Sequence, residues 1–325
     1  METQDSRRPE GGRPVAQLPP ELRPVVDAYR TCELLTVTRA GLPIAWPTVA
    51  MPRPDGTFLI TTSIALPQKA YNVRRDPRVA LLFSDPTASG LVAPPQVLVQ
   101  GEATCPDEIV TSPLPRADLW RRLIERQPMN RRYGATALGR RLFDWYYMRL
   151  LLTVRPHAVE ARRPLPAGEP LATRAEARGA GDDAFGLALG RLPGFTSAVL
   201  AAFDGAGRPT LARLRPRPEP ATRSFVLDPP ADADLRPGPA SLLCHSHDEK
   251  LWTLRSFVVA GELAAGADGW TLAPSRYIAG GDRMGPVAAV RTIRGLRATA
   301  AGYLDRRGLE RPGIPWEEYA ALKRS

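Results

Sequence analysis

The chain has 325 residues but few cysteines and no long apolar run. Its three cysteines, Cys32, Cys105 and Cys244, are odd in number and far apart, which argues against a disulfide framework or a zinc knuckle and predicts buried, reduced thiols in the cytoplasm. No apolar stretch approaches the roughly 18–20 residues of a membrane span. Residues 1–20 are polar and rich in glycine, proline and charge, so they predict a disordered leader rather than a signal peptide.

Lysine is also scarce, since only three of the 44 basic residues are lysines. The many arginines, together with much alanine, proline and glycine, are typical of a GC-rich bacterial genome. The net charge of +10 does not predict a nucleic-acid partner, because the arginines are scattered among acidic residues. Their densest pairs, such as Arg121-Arg122 and Arg140-Arg141, have the spacing of solvated helix faces.

What the sequence does contain is a series of short apolar runs separated by turn residues. CELLTVTRAG (32–41) and LPIAWPTVAM (42–51) predict a hairpin. A spacing of 8–12 residues between short strands indicates a barrel or sandwich rather than a parallel sheet. Further strands are predicted at 57–62, 78–84, 96–105 and 148–161, with a short helix at 67–75 and a helical region at 106–145.

The order of these elements repeats after a segment rich in proline, glycine and alanine. The best matching pair is VQGEA (99–103) and VAGEL (259–263). The sequence therefore predicts an α+β, mostly β protein with two copies of one small β-barrel and flanking helices. The predicted ranges are a first barrel at 21–162, a linker at 163–185, and a second, more degenerate barrel at 186–325 that ends in a helical tail.

One corner of the first copy has the composition of an anion site. A Thr-Thr-Ser cluster (61–63) ends a strand, and Pro67 suits the first position of a helix whose next residues are Gln68 and Lys69. A helix N-terminus with a lysine and hydroxyls beside it binds phosphate readily. The alternative is that the hydroxyls only cap the helix and Lys69 is solvated. The second copy has PPADADLRPGP (229–239) here, without lysine, which predicts one ligand site in the chain.

Three segments together resemble a known family. ITTSIALPQKAYNVRRDPRVALLF (60–83), PQVLVQGEA (95–103) and FDWYYMRLLLTVRPHAVEA (143–161) are similar to the pyridoxamine 5′-phosphate oxidase-like, FMN-binding split β-barrel proteins. The resemblance implies two tandem split β-barrels, of which the first binds the cofactor. The cofactor-binding positions that it implies are Trp46, Pro47, Thr48, Val49, Thr61, Thr62, Ser63, Gln68, Lys69 and Gln96.

The chain also departs from the family pattern. Classical members carry Arg at the start of the second strand and Lys at its end, where this chain has Trp46 and Met51. The arginine and histidine that bind substrate in true pyridoxamine phosphate oxidases have no convincing equivalent, so that specific activity is not expected. No catalytic residue is assigned, because a bound flavin carries hydride chemistry itself.

The resemblance implies a flavin-dependent oxidoreductase that transfers hydride between bound FMN and a small organic substrate. The pattern from Lys69 to Val79 also resembles actinobacterial barrels that use the 8-hydroxy-5-deazaflavin coenzyme instead. The predicted partner is a small molecule, with neither a nucleic acid nor a membrane, and the two barrels are expected to form a pseudo-dimer within a monomer or homodimer.

Two other interpretations stay open. The missing second-strand charges favour a non-catalytic flavin-binding or scaffold protein. His245 and His247 in CHSHDE (244–249) suggest haem, which related barrels bind, or a metal. A metal site needs further ligands from elsewhere, so we predict a polar strand end and no metal.

Overall fold

The strands predicted in the N-terminal half form one antiparallel sheet. The computed structural model describes residues 15–127, 133–251, 253–266, 269–281 and 286–322, so residues 1–14 of the predicted leader lie outside the described residues. The strands of this sheet are β1 (Cys32–Val37), β2 (Pro43–Thr48), β3 (Ala50–Pro52), β4 (Phe58–Ser63), β5 (Arg78–Phe83), β6 (Gln96–Thr104) and β7 (Arg149–Arg162). Their order across the sheet is β2-β1-β5-β6-β7-β4-β3.

A second antiparallel sheet follows in the C-terminal half. Its strands are β8 (Ala198–Phe203), β9 (Pro209–Leu214), β10 (Arg217–Glu219), β11 (Ser224–Leu227), β12 (Gly238–Ser246), β13 (Arg255–Gly266) and β14 (Gly269–Ala279). Its order, β9-β8-β12-β13-β14-β11-β10, matches the first sheet strand for strand. The two tandem split β-barrels are thus confirmed. The sequence did not predict β14, whose many exposed positions break the apolar pattern.

The helices of the described residues lie between and after these strands. They are α1 (Leu22–Ala28), α2 (Gln68–Arg75), α3 (Ala117–Arg126), α4 (Ala137–Tyr147), α5 (Ala184–Leu189), α6 (Pro286–Asp305) and α7 (Trp316–Leu322). The region 106–145 is therefore helical only in part. None of the described helices combines the length and apolar character needed to cross a membrane. All three cysteines are buried and free, as predicted.

The strongest evidence for duplication is a bulge that occurs at the same place in both sheets. The register of β6 against β7 shifts between Gln100 and Gly101, and that of β13 against β14 shifts between Ala260 and Gly261. A Cβ on Gly101 would lie 2.3 Å from the carbonyl oxygen of Arg155, and the corresponding distance at Gly261 is 1.9 Å to Ala273. Only glycine lets the bulged strand approach its neighbour so closely.

The C-terminal helices return to the first barrel, although the sequence groups them with the second. Tyr303 of α6 is fully buried in the core of the first barrel. Tyr319 of α7 packs with Trp120 and Tyr147 in a separate cluster on the outer face of β4 and β7. These helices therefore pack against α2 and α3 of the first barrel, through Tyr71 and Trp120.

A further apolar cluster joins the two barrels. Leu35 and Leu82 of the first sheet pack with Leu211, Leu243 and other residues of the second, and all four are buried. Because both sheets present this apolar face, each barrel would expose it if it were separated from the other.

Replacing Gly101 with Ala is expected to destabilise the protein by about 1–3 kcal/mol, the usual range for overpacking, because the new methyl group would overlap backbone. Denaturant unfolding measures this change. Gly295→Ala in α6 is the control, since its Cβ meets no atom within 4 Å. Equal effects of the two substitutions would contradict a tight approach at the bulge.

Candidate functional site

The corner after β4 contains three adjacent hydroxyl groups, and the structure separates their roles. Thr62 Oγ1 donates to the carbonyl oxygen of Leu66 at 2.9 Å. Ser63 Oγ donates to the carbonyl of Trp145 at 2.6 Å and accepts from the backbone N–H of Ala65. Thr61 Oγ1 is buried and has no hydrogen-bond partner. Thr62 and Ser63 therefore shape the turn, while Thr61 keeps a hydroxyl for a ligand.

Lys69 lies in the first turn of α2, next to this corner. Pro67 is the N-cap, one position before the predicted one. Lys69 is part-buried, and no carboxylate of the described residues lies within ion-pair distance of its ammonium group. Burial lowers the pKa of Lys69 to about 8, where the charge of Arg149 also acts to lower it and Cys32 acts to raise it. An anion at this place would restore the charge balance.

Arg149 is a second cation at the corner, and the sequence analysis missed it. Arg149 lies opposite Ser63 in the pairing of β4 with β7, and Leu151 lies opposite Thr61. Its guanidinium carbon lies 3.9 Å from the ring centre of Tyr146, and its Nε is buried without a hydrogen-bond partner. The sequence RLLLTV (149–154) contained a signal for this position. Side chains alternate along a strand, so with Leu150 and Leu152 in the core Arg149 lies on the opposite face.

The arrangement at this corner fits a phosphate group. Lys69 and Arg149 supply two positive charges, and Thr61 supplies a hydroxyl. A buried donor without a partner costs free energy, and an anion that accepts from it removes the cost. The orphaned Arg149 Nε and Thr61 Oγ1 are therefore suited to a bound anion.

A chain of side-chain hydrogen bonds connects α2 to the β1–β2 hairpin. Gln68 donates to Asn72 at 2.9 Å, Asn72 donates to Thr36 Oγ1 at 2.9 Å, and Trp46 Nε1 donates to the same oxygen at 3.2 Å. Two of the predicted site residues, Trp46 and Gln68, are thus held in one network. Asn72 is fully buried, so it fixes the position of α2 against the hairpin.

The other residues predicted on β2 follow the edge of the sheet. Pro47 and Thr48 are part-buried, and β2 pairs within its sheet only with β1. Val49 is buried in the outer cluster with Met51 and Leu59. In an antiparallel pair only alternate residues bond to the partner strand, so part of the backbone of this edge strand is not paired with β1.

Gln96 lies apart from the corner. It pairs with Arg162 at the far end of β7, and a strand of 14 residues spans roughly 40 Å. Its side-chain amide donates to the carbonyl of Arg163 at 3.0 Å. It lines a cavity of about 460 Å³ together with Arg213 and Asp232 of the second barrel. Thr61 and Lys69 thus lie on the two elements that flank the corner, β4 and α2, while Gln96 lies elsewhere.

The second barrel has no equivalent corner in its described residues. After β11 the chain runs from Asp228 to Arg236 through turns without a helix. Arg213 occupies the hairpin position that matches Pro47, since Pro47 pairs with Glu33 as Arg213 pairs with Val199. Its donors are already engaged, as described next.

A buried polar network joins the barrels and contains the histidine pair. Arg213 donates to Glu33, Ser84 and Ser197, each at 2.8 Å. His245 Nε2 lies 2.7 Å from Glu33 Oε1, and the ring is fully buried. His247 Nε2 lies 3.3 Å from Thr31 Oγ1, and its Nδ1 lies 2.9 Å from the carbonyl of Asp248. The histidines thus lie in a hydrogen-bonded network, and among the described residues no cluster has metal-binding geometry.

The carboxylates of this network are held ionised. Burial alone would raise the pKa of Glu33, but Arg213 and hydrogen bonds from His245 and Ser84 hold it below its ordinary value. Burial opposes ionisation at Asp85 as well, yet Arg213 and the two histidines lower its pKa to about 2.

The first barrel is similar in sequence to a known family. A profile of the family described as pyridoxamine 5′-phosphate oxidase matches residues 18–161. A conserved hypothetical protein from Mycobacterium tuberculosis is 22% identical, and the match covers 46% of this chain and 86% of that one with a TM-score of 0.32. An F420 reductase is 20% identical, with coverages of 44% and 98% and a TM-score of 0.28. The haem storage protein from Vibrio cholerae is 16% identical, with coverages of 45% and 95% and a TM-score of 0.30. No curated protein matches the chain.

The buried network predicts a specific response to acid. The folded-state pKa values of Glu33 and Asp85 lie below the unfolded values of 4.5 and 3.8, so their stabilisation is present above these values. This stabilisation is lost as the pH falls through the folded-state pKa of each group, and that pKa is about 2 for Asp85. We therefore expect the free energy of unfolding to fall from about pH 4.5 to pH 2, as measured by denaturant titration at each pH.

Glu33→Gln tests the source of this response. At neutral pH it is expected to cost about 3–5 kcal/mol, because it leaves Arg213 buried without its counter-charge, and to flatten the acid dependence. Glu160→Gln is the control, since Glu160 is 44% exposed and its pair with Arg162 lies partly in solvent. Similar losses in both variants would contradict the assigned role of the buried pair.

Proposed function

We propose a flavin-dependent oxidoreductase, from the premise that residues 18–161 match the profile of the pyridoxamine 5′-phosphate oxidase family. In this proposal the first barrel holds the phosphate of FMN at the corner after β4. The reaction is hydride transfer between the flavin and a small organic substrate.

The observation that carries the proposal is a set of unpaired donors at one place. Lys69 has no carboxylate partner among the described residues, and Thr61 Oγ1 and Arg149 Nε are buried without hydrogen bonds. The sequence alone gives this corner less positive charge than classical family members have, since Trp46 and Met51 stand in place of the second-strand Arg and Lys. Arg149 supplies a second cation from the opposite strand, which offsets the loss.

Each residue has a defined part in this proposal. Lys69 and Arg149 neutralise the phosphate, and Thr61 donates a hydrogen bond to it. The Gln68–Asn72–Thr36–Trp46 chain keeps α2 against the hairpin, so that the cations stay in place. The bound flavin supplies the hydride chemistry. The 8-hydroxy-5-deazaflavin coenzyme also carries a phosphate, and the same corner suits it.

A non-catalytic binding role is the second candidate, and one observation favours it. Gln96, which the family resemblance places beside the flavin ring, begins β6 opposite the far end of β7 and lines a cavity with residues of the second barrel. A protein that binds flavin at the corner but leaves the ring without this contact could act as a carrier.

The absorbance spectrum of the purified protein tests the proposal. We expect a flavin or deazaflavin chromophore that is released on denaturation and identified by mass, or binding of added FMN or deazaflavin to the purified protein. Reduction of the bound chromophore by a reduced nicotinamide, followed as loss of its absorbance, is expected of the enzyme and not of the carrier. A colourless protein that binds neither cofactor contradicts both candidates.

Lys69→Ala and Arg149→Ala are each expected to weaken FMN binding roughly 10- to 100-fold, since a charge-assisted hydrogen bond contributes about 1.5–3 kcal/mol. In the unchanged protein, affinity is expected to fall as pH rises through about 8, where Lys69 loses its proton. Fluorescence titration of FMN measures both effects.

Lys250→Ala is the matched control, because Lys250 is an exposed lysine of the second barrel. It is expected to leave both the affinity and its pH dependence unchanged. If Lys69→Ala retains the same fall in affinity above pH 8, then Lys69 does not hold the phosphate.

A further inference from the structure

A second cavity lies between the barrels and shares no residue with the anion corner. Its volume is about 350 Å³, within the usual range of about 300–1,000 Å³ for ligand pockets. The first barrel contributes residues 84–87 after β5, and the second contributes residues 194–197 together with the ends of β9 and β12. Residues 165–168, which follow β7, complete the wall.

An ionised carboxylate with a free acceptor lies in this wall. Asp85 Oδ1 accepts from the backbone N–H of Thr87 at 3.1 Å. Oδ2 lies 3.6 Å from His247 Nε2 and 4.0 Å from His245 Nδ1, and both distances are longer than a hydrogen bond. His245 Nδ1 is buried without a partner. Asp85 Oδ2 therefore has no hydrogen bond at normal distance to either histidine and is available as an acceptor for a ligand.

A cation lies in the same cavity wall. Arg215 Nε is buried and has no hydrogen-bond partner, while the other end of the guanidinium donates to the carbonyl of Pro166. A Cβ on Gly168 would lie 2.1 Å from Cζ of Arg215, so the segment after β7 packs tightly over this side chain. Glycine at 168 thus lets the chain hold the guanidinium at the cavity.

The remaining wall is mainly apolar. Leu165, Pro86 and Phe195 line the same cavity as the two charged groups, together with hydroxyl-bearing residues such as Thr196 and Ser197. Ser197 and Arg213 are already bonded to each other, so Asp85 and Arg215 are the charged groups available to a ligand.

We propose that this cavity binds a small zwitterion of amino-acid size, whose ammonium group donates to Asp85 Oδ2 and whose carboxylate accepts from Arg215. The apolar residues of the cavity wall receive the aliphatic part of the ligand. The proposal does not depend on flavin binding, because the anion corner and this cavity have no residue in common.

Thermal-shift assays and calorimetry with each standard L-amino acid in turn test the proposal, with sodium acetate and methylamine as probes that carry one charge only. At least one amino acid is expected to raise the melting temperature and to bind at least about tenfold more tightly than either single-charge probe, since each charge-assisted bond contributes a factor of this size. If no amino acid binds, or if acetate alone binds as tightly, the proposal is wrong.

Two variants locate the binding in this cavity. Arg215→Gln is expected to weaken amino-acid binding by about tenfold or more, because it removes the charge that meets the carboxylate. Gly168→Ala is expected to weaken it as well, since the methyl group displaces the guanidinium while the charge is retained. Both residues are half-buried, so the variants are expected to fold. The melting temperature of each variant without ligand checks this.

Arg217→Gln is the matched control, because Arg217 is an exposed arginine two positions further along the chain and does not line the cavity. It is expected to leave the affinity unchanged. An amino acid that binds Arg215→Gln as tightly as the unchanged protein would place the binding elsewhere and overturn the proposal.

Discussion

The pair formed by Glu33 and Arg213 joins the two barrels at the centre of their contact. Glu33 comes from the first strand of one sheet and Arg213 from the second strand of the other, and both are buried. A buried charge is tolerated only with a counter-charge and further hydrogen bonds, which Ser84, Ser197 and His245 provide. A few polar contacts within an apolar surface therefore fix how the two barrels lie against each other.

This constraint explains how the two copies differ. Pro47 and Arg213 occupy matching hairpin positions, and Glu33 matches Val199. Each copy thus carries one half of an ion pair that only the other copy completes. Arg213 is a cation on the second strand of its copy, and its donors are directed to Glu33, Ser84 and Ser197. This charge of the second copy therefore belongs to the contact between the barrels.

The return of the C-terminal helices reinforces the same asymmetry. Tyr303 and Tyr319 pack on the first barrel, the latter beside Trp120 on the face that carries Thr61 and Arg149. Trp120 lies in turn over the guanidinium of Arg149, so the C-terminal chain packs on an aromatic residue that contacts this cation.

The sequence by itself determined the strands of the first barrel, the duplication and the position of the Lys69 corner. These depend on local features: apolar alternation, turn residues, and glycines at matching bulges such as Gly101 and Gly261. Strand β14 was not predicted, because many of its residues are exposed and do not form an alternating apolar pattern.

Tertiary structure alone decided which polar groups have partners. Arg149 lies opposite Ser63 only through the pairing of β4 with β7, and the histidines meet Glu33 and Asp85 only across the barrel interface. Gln96 is separated from the corner because β7 runs the length of the sheet between them. Such contacts join residues far apart in the chain, so their presence depends on strand register and barrel packing, which no local pattern of residues contains.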